Sequence, residues 1–339
     1  MSEPIRVGLV GTGYAARLRA EALIGDERSR LVAVSGNTPE RTSDFCQIYG
    51  VEMADSWQSL VQRPDLDLIV IANVNRDHGA IARAALYAHK HVVVEYPLSL
   101  DLAEAEEIIQ LAETQGCFLH VEHVDQLSGI HQAVVDALPE VGTPFYVRYA
   151  SLNGQHPAPT KWTYCHDLFG FPLVGAVSRI HRLTSLFGTV EAVNGQARFW
   201  YRTPDHPKQE YAFDATEVAG MPYHTGICTA QLRFTSGLIA DVSYGKGEAI
   251  WQSERSLDIH GDRALLQVGT TEGRIVTVDA ETPLTVGGRR GLFAKDTAMV
   301  LDHLTEKRLM YVTVESTTYA LRVADAIRRA CVTGKTVNI

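Results

Sequence analysis

A short apolar run, Ile5–Val10, leads directly into Gly11-Thr12-Gly13-Tyr14-Ala15-Ala16, and this junction restricts the fold more than any other stretch of the chain. The spacing satisfies G-x-G-x-x-G/A at Gly11, Gly13 and Ala16. The first glycine serves a tight strand-to-helix turn, the second lets a pyrophosphate approach the backbone, and a small third residue lets helix and strand pack closely. The partly positive helix N-terminus then faces the phosphates. Alone, such a turn is an ordinary connection. Its place after the first strand, inside a complete β-α-β unit, makes Gly11, Thr12, Gly13, Tyr14 and Ala15 candidate cofactor-binding residues.

The alternation continues downstream. Buried-strand runs at residues 31–35, 66–72 and 91–95 are interleaved with helical patterns at 15–24, 39–49, 56–62, 79–88 and 102–114, and a further strand at 117–124 closes the set. Asp101 is placed to cap the last of these helices and Gly116 to end it. Such alternation implies a doubly wound parallel sheet with helices on both faces, the Rossmann arrangement. From about Phe145 the pattern becomes strand-rich, with candidates at 145–151, 190–201, 230–234, 238–244, 256–260, 265–268, 274–278 and 284–286. One helix is expected at 173–186, and Leu321, Val323, Ala324 and Ile327 give the C-terminal helix an apolar stripe. The expected architecture is an α/β nucleotide-binding domain over 1–124, followed by an α+β domain over 125–339 with a large, mostly antiparallel sheet. The C-terminal helix is a candidate to pack back on the first domain.

Composition narrows the function classes. A formal charge of −9 disfavours nucleic acid and anionic membrane as partners. No apolar run approaches the ~20 residues that span a bilayer, and the first residues lack a signal-peptide pattern, so a cytoplasmic location is expected. The five cysteines are scattered and include no Cys-x-x-Cys pair, which points away from a disulfide framework or a zinc knuckle.

Several polar groups fall where chemistry is expected. The segment after the second strand, Ser35-Gly36-Asn37-Thr38-Pro39-Glu40-Arg41, has no acid at the strand end. A carboxylate there would repel a 2′-phosphate, so Ser35, Asn37 and nearby Arg41 favour NADPH over NADH; otherwise Arg41 is a solvated helix residue. Asn73, Asn75 and His78 follow the fourth strand, where they either contact the nicotinamide half or cap the loop. His120-x-Glu122-His123 has the residue types of a metal site, but alternation along a strand puts His123 opposite the other two. No metal is expected, and Glu122 and His123 are read as pocket residues. Glu95 ends a buried strand, where a carboxylate needs a partner. Tyr96 beside it either stacks on a substrate, donates a hydrogen bond or packs. Arg179 and Arg182, three apart on the 173–186 helix, share a face and suggest an anion site or a buried ion pair.

The fingerprint, the Asn73–His78 segment, Glu95-x-Pro97 and the closing Val323-Ala324-x-Ala326 helix resemble the glucose-fructose oxidoreductase/inositol dehydrogenase superfamily over the whole chain. Its sugar-oxidising members typically carry Glu-Lys-Pro, then Asp and His four apart in the second domain. Here those positions fall at Tyr96, Val174 and Ser178, so the alcohol-oxidising set is replaced. A more specific resemblance runs through Val94-Glu95-Tyr96-Pro97-Leu98, Leu119-His120-Val121-Glu122-His123, Gly170-Phe171-Pro172-Leu173-Val174, Ser178-Arg179-Ile180, Tyr244-Gly245-Lys246-Gly247-Glu248 and Gly288-Arg289-Arg290-Gly291-Leu292-Phe293. These stretches look like the biliverdin reductases of the cyanobacterial type.

That resemblance implies NADPH-dependent reduction of biliverdin IXα at its C10 methine, giving bilirubin. A tetrapyrrole with two propionates suits an apolar floor ringed by cations. Phe199, Trp200 and Tyr201, with Trp162 and Tyr164, are candidates for the floor, and Trp162 also for a cofactor contact. Arg179, Arg182, Lys246, Arg289 and Arg290 are candidate cations. Arg179 is expected to be the main catalytic residue on the substrate side, with Glu95 and Tyr96 beside the nicotinamide. A monomer or weak dimer is expected. Two other readings stay open: a sugar or cyclitol oxidoreductase on the same scaffold, and a catalytically silent NADPH-binding regulator.

Overall fold

The computed structural model describes residues 3–202, 209–211, 213, 216–218 and 220–339. The chain divides into two compact units, residues 1–127 with 290–318, and residues 128–289 with 319–339.

The first unit opens with β1 (Ile5–Val10), α1 (Tyr14–Ile24), β2 (Ser29–Ser35), α2 (Pro39–Tyr49), β3 (Glu52–Met53), α3 (Trp57–Val61) and β4 (Leu68–Ile71). It continues with α4 (His78–Tyr87), β5 (His91–Val94), α5 (Leu102–Gln115) and β6 (Leu119–Val121). The six strands pair in parallel in the order β3-β2-β1-β4-β5-β6. Such a sheet buries both faces, and every residue of β4 and β6 is accordingly buried. Local signals set the ends of α5: Asp101 accepts a hydrogen bond from Glu104 N at 2.9 Å, and Gly116 closes the helix at φ +62°.

The second unit begins with α6 (Gly129–Val141), β7 (Pro144–Gly154), α7 (His166–Phe169), α8 (Pro172–Gly175) and α9 (Ser178–Phe187). Then come β8 (Val190–Tyr201), β9 (Gln209–Tyr211), β10 (Tyr223–Phe234), β11 (Ile239–Gly247), β12 (Glu254–Gly261), β13 (Leu265–Val268), β14 (Gly273–Val276) and β15 (Glu281–Leu284). The chain ends with α10 (Leu292–Glu306), α11 (Val314–Thr333) and β16 (Val337–Asn338). One sheet runs β15-β14-β13-β12-β7-β11-β10-β8-β16, with β9 on β8. It is antiparallel throughout except at its centre, where β11 lies parallel to β7. The expected fold class, a parallel Rossmann sheet and a large, mostly antiparallel sheet, is observed.

Two expected elements differ, and two helices are additional. The single helix expected at 173–186 is two, α8 and α9, with Ala176 as the C-cap of α8 and Val177 as the N-cap of α9. The strand expected at 284–286 lies earlier, at Glu281–Leu284. Helix α6 is one addition, capped by Ser128, which accepts from His131 N at 3.2 Å; Pro139 within it has the character of a breaker but sits near the last turn. Helix α10 is the other addition.

Candidate functional site

The glycine-rich turn is built as its spacing demands. Gly11 N donates to Ser35 O at 2.8 Å, tying the turn to the end of β2. Gly11 has φ +124°, and a Cβ there would run into the Ala72 carbonyl, so no larger residue fits. Gly13 is the N-cap of α1, with no side-chain cap and nothing within 4 Å of where a Cβ would stand. Backbone donors therefore face open space at the helix start, which fits a pyrophosphate. Thr12 lies against Gly36, Tyr14 is exposed and Ala15 half-buried. Ser35 is buried, whereas Asn37 and Arg41 are exposed at the entrance to α2.

At the C-terminal edge of the same sheet, Asn73 is half-buried and Asn75 buried in a 3₁₀ turn at Asn75–Asp77. His78 is fully buried, with Nδ1 2.8 Å from Pro97 O, and burial pulls its pKa below the usual histidine value. That contact pins the Glu95-Tyr96-Pro97 loop. The Tyr96 ring stacks on His123, with centroids 5.5 Å apart and planes 3° from parallel.

Glu95 belongs to a buried ionic network. Arg19 Nε donates to Glu95 Oε1 at 3.0 Å, while Nη1 pairs with Asp296 Oδ2 and donates to Thr297 Oγ1 at 3.2 Å. Asp296 Oδ1 lies 2.9 Å from His120 Nε2 and accepts from Tyr311 OH at 2.7 Å. The Tyr311 oxygen in turn accepts from His123 N at 3.1 Å. Glu122 accepts from Val124 N at 2.7 Å and is hydrogen-bonded to Glu95. Burial, then the Glu95 carboxylate, push Glu122 well above the usual carboxylate range. Burial acts the same way on Asp296, but the Arg19 charge and His120 outweigh it and hold Asp296 below its ordinary value. His120 and Glu122 thus join one network while His123 faces Tyr96, the division that strand alternation predicts. The described residues contain no cluster suited to a metal.

Arg19, Asp296 and Tyr311 were not anticipated. Arg19 was findable: it falls on the buried stripe Ala16-Arg19-Ala20-Leu23 of α1, where a charge needs a carboxylate. Asp296 lies on α10 and Tyr311 in the segment that follows it, neither of which is marked by a pattern in the sequence.

In the second unit Arg179 and Arg182 project from α9 toward the central strands. Arg179 Cζ lies 5.6 Å from the centroid of Tyr244 on β11, and its Nη1 donates to Ser178 Oγ at 3.1 Å. Arg182 is buried and donates to Tyr149 OH on β7 at 3.1 Å. Lys246 sits two residues beyond Tyr244, hence on the same face of β11. Its Nζ is 4.0 Å from the Phe169 centroid, 4.8 Å from Tyr164, 5.5 Å from Tyr223 and 5.9 Å from Tyr244. It donates to Thr163 O. Burial, with Arg179 nearby, lowers its pKa to about 7. Tyr164, Phe199, Tyr201 and Tyr223 form an adjoining aromatic core; Trp200, between Phe199 and Tyr201 on β8, is half-buried on the opposite face by strand alternation, so the three do not make one floor. Trp162 is exposed and tilts against Phe169 at 5.9 Å. Arg289 and Arg290 are exposed.

Comparison with known proteins places this geometry. The oxidoreductase family model for an NAD-binding Rossmann fold matches residues 5–123, and that family's C-terminal alpha/beta domain model matches residues 139–339. The structure is similar to the crystal structure of biliverdin reductase from Synechocystis sp. PCC 6803 in complex with biliverdin and NADP+, with a TM-score of 0.91 and 48% identity over 97% of this chain and 99% of that one. Human biliverdin reductase A is 30% identical over 197 residues, 57% of this chain and 62% of the human protein. An uncharacterized oxidoreductase of Escherichia coli (strain K12) is 38% identical over 123 residues, 36% of this chain and 35% of that protein. The chain therefore spans less than two thirds of either of these two curated relatives.

Proposed function

This chain belongs to the Gfo/Idh/MocA oxidoreductase family, and on that premise we propose that it is an NADPH-dependent biliverdin reductase. In this reading, hydride reaches C10 of biliverdin IXα and a proton reaches a pyrrole nitrogen, giving bilirubin. The observation that carries the reading is the likeness to a biliverdin reductase at 48% identity over 97% of this chain. The residues support it on two further counts. The positions at which sugar-oxidising relatives are expected to hold Asp and His are the buried Val174 and Ser178, and Tyr96 stands in the lysine slot. The loop after β2 offers Ser35, Asn37 and Arg41 to a 2′-phosphate and no carboxylate at the strand end to repel it.

The parts have separate tasks. Gly11, Thr12, Gly13, Tyr14 and Ala15 would hold the pyrophosphate, and Ser35, Asn37 and Arg41 the adenosine ribose with its phosphate. Asn73, Asn75, Glu95 and Trp162 would serve the nicotinamide half, with His78 fixing the loop beneath. When bound, the nicotinamide supplies the hydride. Glu95 is oriented by Arg19, and the Tyr96 ring by His123. Arg179 and Arg182 are the cations for the propionates and for the charge that builds on the reduced bilin, with Glu122 and His123 as further pocket residues.

Mixing protein, NADPH and biliverdin tests the proposal. Loss of the long-wavelength bilin absorbance with growth of a bilirubin band is expected. Absence of that change with NADPH bound would overturn the proposal in favour of a silent regulator, and NADP+ reduction by a sugar or cyclitol would restore the other reading. Arg179→Ala is expected to lower kcat by about 100-fold while NADPH binding persists; an unchanged kcat removes Arg179 from the chemistry.

A further inference from the structure

We propose that Lys246, boxed by Phe169, Tyr164, Tyr223 and Tyr244 beside Arg179, is the general acid that delivers the proton to the pyrrole nitrogen. The inference rests on the biliverdin reductase reading and adds to it the source of the proton.

Reduction at C10 requires one acid, and the cation assigned to the bilin is a poor one. A guanidinium keeps its proton across the whole working pH range, so Arg179 can attract and orient a bilin without giving a proton up. Lys246 differs in every respect that bears on acidity. It is 6% exposed, so water does little to stabilise the ammonium form. Among the described residues it forms no ion pair with a carboxylate. What surrounds the charge is four ring faces and the Thr163 carbonyl. Cation–π contact offsets only part of the lost hydration.

The charged and titratable groups facing Lys246 from each packed element act in one direction. Arg179 on α9 repels its proton. His166 on α7 lies in the same aromatic surround, and burial draws its pKa down to about 4, so it is neutral and offers no counter-charge. Tyr164 from the 162–164 turn, Tyr223 from β10 and Tyr244 from β11 are all pushed up by burial and stay neutral phenols. With no anion to retain it, the Lys246 proton is loosely held, and a pKa of about 7 suits an acid that must both give and regain a proton near neutrality. Position agrees with this task. Arg179 and Lys246 lie 5.6 and 5.9 Å from the centroid of the same Tyr244 ring, so a bilin held by Arg179 is brought close to the amine.

The step balances. The new C10–H bond would form as the C4–H bond of the dihydronicotinamide breaks, leaving NADP+ and bringing two electrons to the bilin, whose methine π pair shifts to the pyrrole nitrogen. One Nζ–H bond of Lys246 breaks as the pyrrole N–H bond forms, and the neutral amine regains a proton from water.

The test is a single-turnover pH series on the full-length protein with saturating NADPH and biliverdin. The wild-type rate is expected to fall on the alkaline side, as the amine loses its proton. Lys246→Met is expected to slow the reaction by about 100-fold and to lose that limb. Lys246→Arg, a second variant that keeps the charge, is expected to be slow and without an alkaline fall up to pH ~9. In Lys246→Ala, added ethylammonium is expected to restore rate along the titration of the added amine. NADPH binding, followed by its fluorescence, reports that each variant is folded. Lys246→Met with the wild-type rate and the wild-type alkaline limb would overturn the assignment, as would failure of amine rescue together with a normal Lys246→Arg profile. A wild-type protein that does not reduce biliverdin at all would instead sink the functional reading itself, so the two failures are distinct.

Discussion

Arg19 in the first unit and Lys246 in the second are comparably buried, at 1% and 6% exposure, yet their surroundings have nothing in common. Arg19 touches two carboxylates, Glu95 and Asp296, and Asp296 is itself secured by His120 and Tyr311. Lys246 touches rings and one carbonyl. A buried charge with a full set of counter-charges is costly to disturb and slow to change protonation, so it serves as architecture. A buried charge without them gains little from staying charged, and its proton is available for use. The contrast separates groups that hold the nucleotide end in shape from a group suited to chemistry.

The sharpest way to break the comparison is Asp296→Asn. Removing one carboxylate leaves Arg19 under-compensated, and a loss of about 3–5 kcal/mol in urea or thermal unfolding is expected. The sign with pH follows from the lowered Asp296 pKa. Its contribution is present above the unfolded value of about 3.9 and fades as the pH falls below it, so wild type and variant should converge in acid. A variant as stable as wild type at pH 7 would mean that the network is not structural.

Lys246→Met should act in the opposite direction and by less, about 1–3 kcal/mol of added stability. With a folded pKa of about 7, the unfolded chain holds more protons between there and about 10.4, so the cost of burying Lys246 is full below pH 7 and disappears as pH rises. The gain from Lys246→Met should therefore be largest in mild acid and shrink toward pH 10. A variant destabilised equally at every pH would show that packing, not charge, dominates the site.

Glu122→Gln should be the mildest change, within about 1 kcal/mol, because burial and the Glu95 carboxylate raise Glu122 and disfavour its charged form, and an amide of the same shape carries no charge. A raised acid stabilises the fold below its unfolded value and loses that contribution as pH climbs through the folded one. The variant should therefore lose less stability than wild type on the alkaline side. A large loss would place a third carboxylate charge in the network beside Glu95 and Asp296.

Much of this was legible from residue order. The fingerprint at Gly11 and Gly13, the cap at Asp101 and the ends of β1 and α2 are local, since turn and capping chemistry act over a few residues. The ranges Leu265–Val268 and Val190–Tyr201 were equally plain, because β-strand patterning shows wherever one face is buried. The split of α8 from α9 was not legible, for the sequence there stays apolar through Gly175-Ala176-Val177 and only packing interrupts it. The functional clusters were legible by halves. Glu95 and Glu122 stand out as polar groups beside apolar runs, and Lys246 through the family resemblance. Their surroundings come from far along the chain: Arg19 is 76 positions from Glu95, Asp296 is 277 from Arg19, and Phe169 reaches Lys246 from α7, and spacing carries no signal over such distances.

The parallel contact between β7 and β11 has a consequence for how the second unit comes into being. Tyr146 is paired with Ile239, so the two central strands are separated by roughly ninety residues of chain. The sheet cannot grow outward from a hairpin at its middle, and loop closure must come before the pairing that rewards it. At ribosomal speeds of about 5–20 residues per second, β7 waits on the order of 5–20 s for its partner to be synthesised. During that interval both flanks of β7 are open, one awaiting β11 and the other β12, and open edges of this kind recruit other chains. The strand that presents Lys246 is thus also the first to close one of the two open edges of β7 as the chain emerges.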